Sequence, residues 1–132
     1  MSLKHVAEAQ YNIFLKLIER AIGNQVTYAS TLEELGNYLF GEKFKGTYAY
    51  DEIPQTMRGY AIVNLDKHDM PGSHWVAMAD SMVYDSFGRD VGLGETTERD
   101  VEQGRREDNC GQRCVAFLCV YHAYGPEIAY FI

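Results

Sequence analysis

A chain of 132 residues with 46% hydrophobic side chains is one domain, with a real core and little spare material. Its 19 acidic against 12 basic residues, a formal net charge of -7, argue against nucleic acid and anionic membrane as partners. Cys110, Cys114 and Cys119 fall within ten residues, and so odd and tight a set is not a disulfide framework but fits a reducing compartment.

The N-terminal stretch carries Lys4, Glu8, Lys16, Glu19 and Arg20, too many charges for a signal peptide. No run approaches the ~20 apolar residues of a membrane span. Val6, Ala9, Ile13, Phe14, Leu17, Ile18, Ala21 and Ile22 predict an amphipathic helix over 3–22, stopped by Gly23. Ser30 or Thr31 can cap a second helix, with Glu33 or Glu34 closing a capping box. Leu32, Leu35, Leu39 and Phe40 form its apolar face, and Gly41 ends it.

Strand signals follow. Residues 47–50 make a short candidate, broken by Pro54, and residues 59–65 a buried one. A polar loop spans 66–73. His74–Ala79 and Met82–Ser86 lie so close together that they predict a hairpin. The glycines and charges of 86–109 read as a surface loop. From Cys110 onward Val115, Leu118, Cys119 and His122 recur at helical spacing up to Gly125-Pro126. Residues 127–132 are apolar and fit either state. The pattern predicts an α+β domain over 1–132, with a central mixed or antiparallel sheet and flanking helices.

Within the hairpin, Ala79 and Asp80 as loop residues would set Met78 opposite Ser81, Val76 opposite Val83 and His74 opposite Asp85. Such partners have Cβ atoms ~4.5–5.5 Å apart. The carboxylate could then fix the His74 tautomer and stabilise the imidazolium. Ala-Asp is not a favoured turn pair, so a longer loop in a shifted register stays open, as does a plain surface His–Asp pair.

Cys110 stands where a helix begins, and the helix dipole with a nearby imidazolium would favour its thiolate. Cys114 and Cys119 read as small core residues. Zinc would need Cys110, Cys114 and a histidine to converge. Cys-x3-Cys is outside the usual spacing and His122 lies in another sector, so no metal is expected. Gln103, seven residues before Cys110, can offer a side-chain N–H to an oxyanion, with the Cys110 backbone N–H as a second donor. Trp75 either fills the core or packs on the His74 ring. His5, His68 and His122 have no evident partner.

The order His74, Asp85, Gln103, Cys110 supplies base, base-orienter, oxyanion donor and nucleophile for cysteine acyl transfer. Papain-like enzymes place the nucleophile first. Tyr60-Ala61-Ile62-Val63-Asn64, a polar loop, and Gly72-Ser73-His74-Trp75-Val76-Ala77-Met78 resemble the segment leading to the catalytic histidine of the adenovirus maturation protease (adenain-like) family. Its wider clan includes the SUMO-specific proteases. Val83-Tyr84-Asp85-Ser86-Phe87-Gly88 resembles the acid-bearing strand. Gln103-Gly104 followed by Cys110-Gly111 and Cys114 is similar to the oxyanion and nucleophile segment. The similarity runs over roughly residues 38–124.

The resemblance implies a compact cysteine endopeptidase with His74, Asp85, Gln103 and Cys110 as catalytic residues. It implies cleavage of capsid or other virion precursor proteins after small residues, at Gly-Gly or Gly-X, in the virion and the host-cell cytoplasm or viral factory. Asp85 stands where the adenovirus enzymes have glutamate, as in the SUMO-protease branch. The stretch from Asp85 to Gln103 is shorter, and the sequence stops soon after the nucleophile helix. Adenovirus proteases are activated by a viral peptide and DNA; whether a peptide acts here stays open. DNA is not expected, because Arg105-Arg106 is flanked by Glu102, Glu107 and Asp108, and Lys43 with Lys45 is a small cluster. The expectation is a monomer acting on protein substrates, with no cofactor and no membrane. The alternatives are removal of ubiquitin-like proteins, a clan-related acyltransferase, and a binding module with a dead site.

Overall fold

In the computed structural model, residues 2–55, 57–66, 74–98, 101–104 and 107–132 are described. His68, Gly72-Ser73, most of the 66–73 loop and Arg105-Arg106 lie outside the described residues. The first helix, α1 (Leu3–Ile22), is capped by Ser2, whose hydroxyl oxygen accepts the His5 N–H at 3.1 Å. It buries Ala7, Tyr11, Leu15 and Ile18 and ends at Gly23, whose φ of 83° suits glycine. The second helix, α2 (Ala29–Phe40), begins earlier than the expected Ser30 or Thr31 cap, and no capping box forms. Instead the backbone carbonyl of Tyr28 accepts the N–H groups of Thr31 and Leu32. Glu33 turns away from the helix start, with its Oε1 3.4 Å from the Thr47 N–H of the first strand.

A mixed five-stranded sheet follows, consisting of β1 (Phe44–Ala49), β2 (Tyr60–Asn64), β3 (Trp75–Ala79), β4 (Met82–Tyr84) and β5 (Glu95–Thr96) in spatial order β1-β2-β3-β4-β5. The outer pairs, β1–β2 and β4–β5, are parallel, and the two inner pairs are antiparallel. β1 starts three residues earlier than expected. The 86–109 segment is not all loop, since β5 adds to the sheet edge. The chain then forms α3 (Cys110–Tyr124), closed by Gly125, and a short α4 (Pro126–Ala129) in the stretch whose state was open.

Period-two alternation splits the sheet into two cores. Tyr60, Ile62, Ala77, Ala79, Met82 and Tyr84 join residues from all four helices in one cluster. Val63, Val76, Met78 and Val83 form a second on the opposite face. That face is covered by no helix residue of the cluster, but by Ile53, Met57, Leu65, Val91 and Leu93. The helices therefore sit on one face of the sheet, and α3 lies between β3 and α1. Burial on both faces explains why every residue of β2 is buried. Among the described residues no helix is long and apolar enough to cross a membrane.

Candidate active site

The hairpin exists, but its register differs from the expected one. Ala77 pairs with Tyr84, Met78 with Val83 and Ala79 with Met82, so Asp80 and Ser81 make the turn. Asp80 adopts φ 52°, a left-handed conformation that aspartate tolerates better than alanine does. Its backbone N–H donates to Gly59 O and its Oδ1 accepts from Gly59 N–H, which ties the turn to the start of β2. The slip amounts to two residues. An even slip changes partners but not faces, whereas an odd one would have turned every side chain over. His74 and Asp85 thus stay on one face as diagonal neighbours, and His74 Nε2 meets Asp85 Oδ1 at 2.6 Å.

Continuing the observed register past the strand ends sets Phe87, not Asp85, opposite His74. The two rings stack, with centroids 4.7 Å apart and planes at 24°. Asp85 is held on every side. Its Oδ1 also accepts the Phe87 N–H at 3.1 Å, and its Oδ2 accepts Arg89 Nε–H at 2.7 Å. The Arg89 guanidinium lies over the Phe87 ring, 5.1 Å from its centre, so the phenyl ring meets both guanidinium and imidazole.

With Nε2 engaged by the carboxylate, Nδ1 is the ring nitrogen left for the Cys110 thiol, which hydrogen-bonds His74. Cys110 is the first residue of α3, and its sulfur also accepts from the backbone N–H groups of Trp75 and Gly111. Burial works against charge at all three groups. At His74, the bonds to Asp85 and Cys110 and their negative charges outweigh burial and raise the pKa to about 9. At Cys110, burial would raise the thiol, but the His74 bond, the two backbone donors and the imidazolium charge lower it. At Asp85, burial is offset by His74, Arg89 and the Phe87 N–H, and the carboxyl falls to about 2. These directions favour a thiolate–imidazolium pair. Burial raises the other thiols instead, Cys114 well above its ordinary value and Cys119 to about 12.

Gln103 is buried, and its amide is gripped at both ends. Its Oε1 accepts the Ser86 hydroxyl at 2.5 Å, and its Nε2 donates to the Glu107 backbone carbonyl at 2.5 Å. A carbonyl can only accept, which settles the amide's orientation, and the NH2 keeps a second N–H. Ser86 follows Asp85 directly, and its own carbonyl accepts the Glu102 and Gln103 N–H groups. The acid and the glutamine are therefore fastened to one short segment.

No protein-family model matches the chain, and no curated protein matches it in sequence.

Trp75 takes the core option. It packs against the helix-side cluster, and its indole N–H donates to Thr27 O at 3.2 Å. The ring on His74 belongs to Phe87. Gln112, fully buried, ties α3 to the α1–α2 connection: its Nε2 donates to Gly23 O and Gln25 O, and its Oε1 accepts the Thr27 hydroxyl. His122 is exposed, but its Nδ1 lies 3.0 Å from the Tyr60 hydroxyl, a partner sequence reasoning did not find. Among the described residues no group of three or more His, Cys, Asp or Glu side chains is placed to hold a metal. Phe87, Ser86 and Arg89 are the site residues that sequence reasoning missed. The correct register would have revealed Phe87, whereas no signal in the sequence picked out Arg89, which reaches Asp85 around a turn rather than along a helix.

Proposed function

We propose that this chain is a cysteine endopeptidase that processes viral capsid or virion precursor proteins at Gly-Gly or Gly-X sites. The observation that carries the peptidase reading is the His74 ring, bonded through Nε2 to Asp85 and left with Nδ1 for the half-buried Cys110 thiol. The viral substrate class rests on the sequence resemblance alone.

In the proposed reaction His74 holds the thiol proton, and the Cys110 thiolate attacks the scissile carbonyl carbon. The carbonyl electrons move onto oxygen, where the second N–H of Gln103 and the Cys110 backbone N–H stabilise the charge. Collapse expels the amine, which takes its proton from His74 and leaves a thioester on Cys110. Water, deprotonated by His74, attacks the thioester and releases the acid. Throughout, Asp85 keeps the ring in the tautomer that can shuttle the proton at Nδ1.

The test is mass spectrometry of virion precursor proteins and Gly-Gly peptides incubated with the wild-type protein and with Cys110→Ser. Cleavage after glycine by the wild type alone is the expected result. Equal cleavage by a folded Cys110→Ser protein removes the nucleophile from the reading. Processing of ubiquitin-like conjugates in preference to virion precursors would replace the substrate class.

A further inference from the structure

We propose that Glu107 is a positioning residue for Gln103, and that the buried Arg113 anchors it for that purpose. The proposal rests on the reading of Gln103 as oxyanion donor and names what sets its aim. Glu107 is the hub of a compact network in which both carboxylate oxygens are engaged. Its Oε1 accepts the Gly104 N–H at 2.7 Å, and its Oε2 accepts Arg113 Nη2–H at 3.1 Å and Asn109 Nδ2–H at 3.3 Å. Its backbone N–H donates to Gly104 O, and its backbone carbonyl accepts the Gln103 amide. Glu107 thus fixes Gly104 with its side chain and the neighbouring Gln103 with its main chain.

Arg113 carries this hold into the core. Its side chain is nearly buried, and the guanidinium also donates from Nε to Asn109 Oδ1 and from Nη1 to Tyr11 OH, each at 3.1 Å. Tyr11 in turn shares a 2.7 Å bond with Tyr84 in β4. Arg113 stands three residues after Cys110 on the same helix, so the group that fixes the loop moves with the nucleophile. A planar guanidinium with several donors suits this role better than a lysine would. The arrangement accounts for a charged side chain inside α3, and for an acidic residue whose side chain is 46% exposed yet bonded at both oxygens.

The exposure of Glu107 makes it the better residue to change. Glu107→Ala, Glu107→Gln, Gln103→Ala and the Glu107→Ala/Gln103→Ala pair are compared in three measurements. These are peptide turnover, the rate of Cys110 alkylation by iodoacetamide, and amide hydrogen exchange in peptides spanning 101–109. Alkylation needs the thiolate but no oxyanion donor. Glu107→Ala should lower kcat about tenfold to hundredfold with little change in KM, since a misaimed donor loses much of its value. Alkylation should stay within about twofold, and exchange in 101–109 should rise. Glu107→Gln, which keeps an acceptor for Gly104, should recover much of the loss. In the Gln103→Ala background, Glu107→Ala should cost less than about twofold, because the group it positions is gone.

Multiplying losses in the double variant, or alkylation falling in step with turnover, would reduce Glu107 to a general stabilising residue and overturn the proposal. Unchanged exchange in a folded Glu107→Ala protein would also overturn it. No turnover by the wild-type protein would instead sink the peptidase reading, and the exchange data would still decide whether Glu107 holds the loop.

Discussion

Phe87 lies against His74 with ring centroids 4.7 Å apart, and its own backbone N–H bonds the Asp85 carboxylate that holds the same histidine. One residue thus governs the tilt of the ring through its side chain and the place of the acid through its main chain. Substitution separates the two, because any residue at 87 other than proline keeps the N–H. Phe87→Ala should lower kcat by about tenfold through a ring freed to rotate, while Phe87→Tyr, which restores a stacking face, should recover most of it. Comparable activity in the alanine variant and the wild type would remove the stack from the mechanism.

The three thiols should react in a strict order. Cys110 is lowered toward thiolate, while Cys114 is fully buried and Cys119 is pushed up to about 12. Iodoacetamide at neutral pH should label Cys110 alone in the folded protein, as read by peptide mapping, and all three after denaturation. His74→Ala should slow the native labelling. Labelling of Cys119 ahead of Cys110 would contradict the electrostatics derived for the site.

Activity should show two pH limbs. As pH rises through the lowered thiol pKa, the thiolate forms and kcat/KM climbs. As pH rises further through about 9, His74 loses the proton that the leaving amine needs, and kcat/KM falls. Asp85→Asn removes the negative charge that lifts the ring, so the upper limb should move to lower pH and kcat should drop by at least about tenfold. An upper limb that stays in place in Asp85→Asn would show that another group sets it.

Gly111 is packed too closely to bear a side chain. A Cβ there would lie 2.7 Å from Thr27 Oγ1 and 3.1 Å from both methyl carbons of Leu32. Alanine in a helix is intrinsically worth about 1 kcal/mol over glycine, but overpacking of a buried site costs roughly 1–3 kcal/mol. The contact should prevail, because Thr27 is itself held by Gln112 and cannot swing aside freely. Gly111→Ala should lower Tm by several degrees, about 4–8 °C per kcal/mol lost in a 60–100-residue domain and somewhat less at this length. It should also slow Cys110 alkylation. A stabilised variant would mean that the connection yields more easily than its bonds suggest.

Much of the architecture was legible in the residues because it depends on local periodicity. The apolar spacing from Val6 to Ile22 marks the extent of α1, but of the residues expected to form its face only Ile18 is buried. Ile13 and Leu17 are exposed, and the buried stripe is Ala7, Tyr11, Leu15 and Ile18. Gly23, Gly41 and Gly125 stop helices where a left-handed backbone is needed. The His74–Asp85 pairing was legible for a subtler reason. The register expected from the turn was two residues off, yet parity kept both side chains on one face. The strand at Glu95–Thr96 depends on pairing with β4 and the grip on Gln103 on the Ser86 hydroxyl and the Glu107 carbonyl, while α2 starts on the backbone carbonyl of Tyr28, a group every residue carries; no side-chain periodicity encodes any of these. Phe87 and Ser86 were visible as residue types, but only the sheet's true register gives them partners.

The bond from Gln112 to Gly23 spans 89 positions of chain, and that from Trp75 to Thr27 spans 48, whereas His74 and Asp85 are only 11 apart. The acid–base pair belongs to a hairpin that can close early, but the thiol comes into range only when distant segments have met, the costly step in folding. Cys110 also follows every other proposed catalytic member in the chain, so during synthesis it is the last to emerge. On the proposed reading, a nascent or partly opened chain would hold the His74–Asp85 pair with Cys110 still out of range, so reactivity would wait on the meeting of these segments.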